Sequence, residues 1–432
     1  MTALLYVLGV VVFIIGVAVS IALHEVGHMY PAKKFGVKVT QYFVGFGKTV
    51  WSVRRGETEY GLKAIPLGGF VKLVGMLPPA KDALPGTVRP SNTGMFTQMI
   101  SDARNAEYEF VEPGDRDRLF YRKAWWKKLI IMSGGPIVNI VIAIFLFGAL
   151  FIGIGVNEPT TTIRSVSDCA IADAEAGRTC TSTDPVTPAS AAGLEPGDTI
   201  ESFNGVKVNE WDDLTALIRD NGTQQATIVI NRDGQTITKT TNTSVLARTS
   251  LTDPTQVEDV GFLGVSPTAE RQRQSPLYVG QIMGEYTKST IGVIVHLPQR
   301  MVAVTKAAFG GEREADGPMS VVGASRVAGE MVSEDGTTWV DRASSILGLL
   351  AALNLFLALF NFIPLLPLDG GHIAGALWEA VRRGWSRLRG LPDPGYVDVA
   401  RMLPVAYGVG SLLILMSVIL IYADLVNPVK LT

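Results

Sequence analysis

The sequence predicts a polytopic α-helical membrane protein with about four transmembrane helices, a β-hairpin close to the membrane and one extracytoplasmic α+β domain. The 432-residue chain is 47% hydrophobic and 18% charged, against about 25% charged residues in a typical soluble domain, and its mean hydropathy is +0.27. Long apolar runs alternate with polar stretches. A formal net charge of −2 and the lack of a basic, aromatic patch in the sequence argue against nucleic acid as a partner.

The first predicted transmembrane segment covers residues 1–36. Its uncharged part, residues 4–23, is about 20 residues long and therefore spans the ~30 Å hydrocarbon core. No Lys or Arg precedes it, and it is longer than the ~7–15-residue apolar region of a signal peptide, so we expect it to be retained. Lysines at 33, 34 and 38 predict that its far end is cytoplasmic and the N-terminus extracytoplasmic.

The apolar run ends in the motif His24-Glu25-Val26-Gly27-His28. On a helix, His24 and His28 are one turn apart on the same face, so both rings can reach one metal ion. Glu25 is then placed to take a proton from water, as in zinc hydrolases with this spacing. The alternative is a chance motif of satisfied histidines, but ionisable side chains at membrane depth are costly and point to function.

Residues 37–76 alternate short apolar runs with glycines and predict a β-hairpin that turns at residues 54–57. Its backbone cannot face lipid, so it must pack against protein or line a water-filled cavity. Its edge could pair with an unwound substrate by strand addition. The alternative, a purely structural hairpin at the membrane surface, remains open.

Residues 77–128 are predicted to be a cytoplasmic loop, which is polar up to residue 120 and ends in a segment with four cations and two tryptophans typical of an interface anchor. The second transmembrane segment is predicted at 129–156. It contains Asn139 and the run Ser133-Gly134-Gly135-Pro136, small and polar residues that suit close helix packing.

Residues 157–275 predict the extracytoplasmic domain, because Thr, Asp, Asn and Gly become frequent and long apolar runs disappear. A strand at 199–203, a hairpin turn, a helix at 210–221 and two further strands are expected. Cys169 and Cys180 are the only cysteines. A disulfide is expected in an oxidising compartment, with two free thiols as the alternative.

The remaining chain is predicted to return to the membrane. Residues 276–343 suggest amphipathic segments near the outer membrane face, and His296 within them is given no role. The third transmembrane segment, 344–372, ends in prolines and glycines that unwind the helix. An arginine-rich cytoplasmic loop at 373–401 and a fourth span at 402–423 follow, so both termini are predicted to be extracytoplasmic.

A catalytic zinc usually has three protein ligands and one open position, so the motif needs a third ligand. Asp369 lies at the broken, predicted cytoplasmic end of the third span, as the motif does in the first, and its neighbouring glycines leave it free to turn inward. His372 is the competing ligand. Asn139 and Asn361 are candidates to hold substrate backbone or a developing oxyanion, or else to form hydrogen bonds between helices.

Together these motifs resemble the site-2 protease family of zinc intramembrane metalloproteases: the first-span His24-Glu25-x-x-His28, the later Asn361-x-x-Pro364…Leu368-Asp369-Gly370, and a domain between spans two and three whose residues 188–200 resemble a PDZ domain. The resemblance implies one Zn²⁺ per chain bound by His24, His28 and Asp369, with Glu25 as the base. It also implies that the hairpin at residues 37–76 is a membrane-reentrant β-hairpin. The implied substrates are single-span proteins of the anti-sigma-factor type, first cut outside the membrane by another protease.

The same resemblance implies a multi-pass protein of the bacterial cytoplasmic membrane whose zinc site lies near the cytoplasmic side. The single PDZ-like domain would take an extended peptide or a trimmed substrate end in its groove, or would act as a size filter. One alternative function is a client-binding or chaperone scaffold with a non-catalytic metal site, although binding alone would not need Glu25. A zinc transporter, the other alternative, would be expected to carry more than four histidines.

Overall fold

The computed structural model describes residues 2–79, 94–108, 111–171, 179–181, 183–250, 256–311, 313 and 317–429. The chain divides into two units. The helical unit consists of Met1–Ile154 and Ser275–Thr432, and the α+β unit consists of Gly155–Gln274.

The α-helices in the described residues are α1 (Thr2–Lys34), α2 (Met95–Tyr108), α3 (Trp125–Gly148), α4 (Pro188–Ala191), α5 (Trp211–Asp220), α6 (Pro276–Val295), α7 (Leu297–Ala308), α8 (Val321–Ser333), α9 (Trp339–Asn361), α10 (Asp369–Leu388) and α11 (Leu403–Val426). The strands are β1 (Val39–Arg55), β2 (Thr58–Leu73), β3 (Val156–Val166), β4 (Thr199–Phe203), β5 (Val206–Lys207), β6 (Gln225–Arg232), β7 (Gln235–Asn242), β8 (Ser244–Thr249), β9 (Val257–Phe262) and β10 (Val265–Gln272).

Four helical stretches of the described chain are long and apolar enough to cross a membrane, as expected from the sequence: Thr2–Lys34, Trp125–Ile154, Trp339–Asn361 and Val399–Val426. The third is shorter at its far end than the predicted segment 344–372, because the helix ends at Asn361 and residues 369–372 begin α10. Many of their large apolar side chains are exposed, including Val7, Ile15, Val141, Phe145 and Ile414. Exposed apolar surface on this scale is expected of helices that face lipid. The chain is an integral membrane protein.

Helix α1 packs against α3, α8 and α9. Phe13 and Val17 of α1 are buried in a cluster with Val332 of α8 and Leu350 of α9. Asn354 of α9, which is fully buried, donates a hydrogen bond to Ser20 Oγ at 3.0 Å. This bond joins α9 to α1 one turn before the motif, a contact that the sequence alone did not predict.

Strands β1 and β2 form one antiparallel sheet over the predicted hairpin, but both strands bend sharply. Residues 39–44 pair with 69–73 on one side and with 59–62 on the other, and residues 51–55 pair with the 58–62 segment again. The 69–73 segment therefore lies at one margin of a curled sheet. Among the described residues, no third strand pairs with this sheet.

Three regions are more helical than the sequence predicted. The expected loop 77–128 contains α2, and the expected loop 373–401 begins with most of α10. Residues 276–343, predicted as amphipathic segments without a stated secondary structure, contain α6, α7, α8 and the start of α9. The polar composition of α2 and the arginines of α10 suggested loops, but helix formation is compatible with charged residues when one face packs against protein.

The α+β unit contains a sheet of strand order β10-β3-β4-β6-β7, with β5 paired to β4, and a separate β8–β9 hairpin. Ile200, Leu214 and Ile230 lie in its core. Cys169 and Cys180 form a disulfide. The pKa of Asp198 is below its ordinary value. Burial alone would raise this pKa, but hydrogen bonds from Arg232 and from a backbone amide lower it by more.

Candidate metal centre

The two motif histidines converge on one point. His24 Nε2 and His28 Nε2 lie 3.2 Å apart on consecutive turns of α1. His28 Nδ1 is 2.8 Å from the Ile131 carbonyl oxygen of α3. Because a carbonyl can only accept, Nδ1 must carry a proton, and in the neutral ring the lone pair is then on Nε2. The hydrogen bond from Nδ1 to the Ile131 carbonyl fixes the orientation of the His28 ring, as is usual for metal-binding histidines.

Asp369 completes the cluster from another helix. It is the first residue of α10, and its Oδ2 lies 3.3 Å from both His24 Nε2 and His28 Nε2. The chain reaches this position by turning tightly after α9. Glycines allow the turn, because a Cβ at Gly370 would overlap the Ile363 backbone and one at Gly371 would come within 2.7 Å of the Leu366 nitrogen.

The cluster fits a bound cation. Its three ligand atoms are 3.2–3.3 Å from one another, and Asp369 Oδ2 is buried without a hydrogen-bond partner in the described structure. Zinc ligands at about 2.0–2.1 Å in tetrahedral geometry are separated by about 3.3 Å. Two imidazole nitrogens and one carboxylate oxygen are also a donor set that zinc accepts. His24, His28 and Asp369 could therefore hold zinc and leave a fourth position open.

Glycines of α3 make room for the histidines. A Cβ at Gly135 would overlap His28 Nε2 and come within 2.6 Å of His24 Nε2. Gly134 and Gly27 face each other so closely that a Cβ on either one would overlap the backbone of the other. The sequence suggested that this run packs closely, but it did not indicate that Gly135 lies directly against both rings.

The cluster lies in a cavity of about 580 Å³ that is lined mostly by apolar side chains. Glu25, Asn139, Asn361 and His372 also line it, so the structure brings all the predicted site residues together. Asn139 is 1% exposed, and its Oδ1 has no hydrogen-bond partner in the described structure. His372 is not part of the three-residue cluster of ligand atoms.

One margin of the β1–β2 sheet also faces this cavity. Gly68, Gly69, Phe70, Val71 and Leu73 line it. Gly69 packs tightly here, because a Cβ at this position would lie 3.0 Å from Glu25 Cγ and 3.1 Å from Ile21 Cγ2. The sequence predicted a hairpin but carried no signal for which of its edges would lie beside Glu25.

Comparison with known proteins assigns the family. Residues 12–390 match the family model of peptidase family M50. The zinc metalloprotease Rip1 of Mycobacterium tuberculosis strain H37Rv is 33% identical over 443 residues, which cover 99% of this chain and 100% of the relative. Rip1 of Mycolicibacterium smegmatis is 33% identical over 442 residues, 98% of each chain. The chain belongs to peptidase family M50, the site-2 proteases, and is a zinc-dependent membrane metalloendopeptidase.

Proposed function

We propose that this protease cleaves the transmembrane segments of single-span membrane proteins, with one zinc ion held by His24, His28 and Asp369 and with Glu25 as general base. One observation carries the proposal. The three candidate ligand atoms lie 3.2–3.3 Å from one another inside a mostly apolar cavity that is also lined by the Glu25 carboxylate. A buried polar cluster of this kind would be costly in a membrane protein that did not use it.

The chemistry follows from the residues that share the cavity. Zinc, when bound, polarises the scissile carbonyl and makes water more acidic. Glu25 accepts the proton of the attacking water and returns it to the leaving amine nitrogen. The side-chain amides of Asn139 and Asn361 line the same cavity and donate hydrogen bonds to substrate backbone or to the developing oxyanion.

The substrate must unwind before it is cut, since helical backbone groups are already paired with one another. The 69–73 margin of the sheet supplies a place for the unwound segment. It pairs with residues 39–44 on one side and lines the cavity on the other. An extended substrate segment added to this margin would have its backbone polar groups satisfied inside the membrane.

The substrates we propose are anti-sigma-type proteins that another protease has first cut outside the membrane. In this scheme both termini of the enzyme are extracytoplasmic, the zinc site lies near the cytoplasmic side of a bacterial membrane, and the α+β unit is an extracytoplasmic PDZ domain. The positive charges at the end of α1 and within α10 support this orientation. A PDZ groove would take an extended peptide or a trimmed substrate end, or the domain would exclude untrimmed clients.

The test compares the wild type with Glu25→Gln in liposomes, each given a single-span anti-sigma-type substrate that lacks its outer domain. We expect zinc in both proteins and cleavage only by the wild type, with a loss of at least ~100-fold in the variant. Zinc in both proteins, with equal cleavage, would remove Glu25 from the mechanism. Zinc in both with substrate binding but no cleavage by either would favour a client-binding scaffold.

A further inference from the structure

Helix α10 exposes a continuous line of large apolar side chains. They are Leu377, Trp378, Val381, Trp385 and Leu388, each between 47% and 85% exposed. At 3.6 residues per turn these five positions fall within an arc of about 100° on one side of the helix. This line, the α10 apolar stripe, is too ordered to be a scatter of single surface hydrophobics.

The opposite face of α10 is occupied by protein. Ala376, Glu379 and Ser386 are buried, and α10 packs against α3. Glu379 forms an ion pair at 2.7 Å with Lys128 at the start of α3. The packing fixes the rotation of the helix, so the α10 apolar stripe has to face away from the helical unit.

Cations lie along both sides of the stripe. By helical geometry Arg382 and Arg389 flank one side and Arg387 the other. The Arg389 guanidinium lies 4.3 Å from the centre of the Trp385 ring. Within the described part of the chain, no carboxylate forms an ion pair with any of these three arginines. Arg387 and Arg389 are exposed, and the half-buried Arg382 donates one hydrogen bond to the Pro394 carbonyl.

We propose that α10 docks on an anionic phospholipid surface, with its apolar stripe inserted between headgroups and Arg382, Arg387 and Arg389 against lipid phosphates. Tryptophan and leucine on one face with arginine along its borders is the pattern of helices that lie in a membrane interface. With its charged residues α10 is not among the helices able to span the membrane. Only residues 362–368 separate it from α9, which is one, so a bilayer surface is always within reach.

Docking has a consequence for the metal centre. Asp369 is the first residue of α10, so a helix held on the lipid surface also holds Asp369 at a defined depth beside His24 and His28. This consequence rests on the proposed ligand role of Asp369. The docking itself does not, and its test needs neither zinc nor substrate.

The experiment measures the depth of α10 in liposomes containing the full chain. The only cysteines, Cys169 and Cys180, form a disulfide, so a Leu388→Cys variant can be labelled selectively with a fluorophore in the absence of reductant. Nitroxide lipids labelled near the headgroup should quench this fluorophore at least ~2-fold more than lipids labelled at the chain end, because interfacial helices insert only ~5–10 Å. A fluorophore at Asp213→Cys, exposed on α5, should be quenched by neither.

A second arm tests the charge. Replacing Arg382, Arg387 and Arg389 together by Gln should reduce headgroup quenching in phosphatidylglycerol liposomes. Each lost arginine should weaken the docking equilibrium ~5-fold, which corresponds to about 1 kcal/mol. Replacing the three arginines by Lys keeps their charges and should preserve the quenching, so that the loss in the Gln variant can be assigned to charge and not to a disturbed helix. As a matched control, replacing three cations of the α+β unit by Gln should leave the quenching unchanged: Arg164, Lys207 and Arg273.

Three results would overturn the proposal. Stronger quenching from the chain-end nitroxide would place α10 in the hydrocarbon core. No quenching from either lipid would mean that water or another protein covers the stripe. Equal quenching in phosphatidylglycerol and phosphatidylcholine, unchanged by the Gln variant, would show that the arginines do not recognise anionic lipid.

Discussion

At Gly135 the lack of a side chain decides whether two histidines can meet. The Gly135 Cα faces both Nε2 atoms, and a methyl group there would occupy the space in which they converge. Gly148 on the same helix is a matched control, because a Cβ added there would meet nothing within 4 Å. We expect Gly135→Ala to lower zinc content by at least ~10-fold, a cost typical of displaced metal ligands, and Gly148→Ala to leave it unchanged. Metal analysis of the purified proteins tests this.

The choice between Asp369 and His372 is also a residue-scale question. Both line the cavity, but only Asp369 places an oxygen 3.3 Å from each histidine nitrogen. We expect Asp369→Asn to lower zinc content strongly and His372→Ala to leave most of it, with the Asn variant also losing activity. Metal analysis giving the opposite order would reassign the third ligand to His372.

The sequence predicted the histidine pair from local spacing and favoured Asp369 as the third ligand, but it did not exclude His372. His24 and His28 are close in space because they are one turn apart on one helix, a local relation that spacing reveals. The position of Asp369 depends on how residues 362–368 turn between α9 and α10 and on how α10 packs against α3. These are long-range relations, so the sequence pattern left His372 as an alternative. Gly135 and Ser20 were missed for the same reason.

At the scale of elements, a buried ion pair joins α3 to α10. Lys128 and Glu379 are 2.7 Å apart and only 7% and 1% exposed. Breaking a buried pair leaves one desolvated charge, so Glu379→Gln should destabilise the protein by about 3–5 kcal/mol. Replacing both residues by Met removes both buried charges and should restore most of the loss. Arg383, which also pairs with Glu379, keeps Asp393 as a partner in that variant. Thermal unfolding in detergent measures both effects.

A second ion pair, on α8, is more exposed and so separates the effect of burial on stability from the effect of losing one charge. Arg326 and Glu330 also form an ion pair, but their side chains are 34% and 29% exposed. Glu330→Gln should cost no more than about 0.5 kcal/mol. Equal destabilisation by Glu330→Gln and Glu379→Gln would show that the Lys128–Glu379 contact has no special role in holding α10 against α3.

Element prediction was accurate where hydrophobic length or strand alternation was strong. The four candidate spans overlap the predicted segments, although the third ends at Asn361 and not at residue 372, and the strand at Thr199–Phe203 lies where the sequence placed it. Residues up to Leu388 belong to α10, whereas the sequence predicts a loop at 373–401, because arginines that follow an apolar run are typical of the cytoplasmic side. Their helical spacing relative to Trp378 and Trp385 carries the missing signal, since charges at the borders of an apolar stripe indicate an amphipathic helix and not a loop.

At the scale of the whole molecule, the α+β unit is an insertion whose ends meet. Strand β3 begins the unit and β10 ends it, and the two pair so that Val156 is opposite Gln272 and Asn157 opposite Arg271. Opposed residues in antiparallel strands are about 4.5–5.5 Å apart. A short Gly/Ser linker can therefore replace residues 160–270 without separating the chain ends that lead to the second span and to α6.

If this unit excludes untrimmed clients, its deletion should change selectivity and leave catalysis intact. We expect the enzyme lacking residues 160–270 to cleave single-span substrates that keep their outer domain, while the full chain cleaves only trimmed ones. Equal cleavage of a trimmed substrate by both proteins would show that the deletion preserves the helical unit, and adding Glu25→Gln should abolish cleavage in each. A deletion enzyme that cuts trimmed substrate normally but still rejects the untrimmed form would mean that the filter lies elsewhere, because the helical unit alone would then distinguish the two clients.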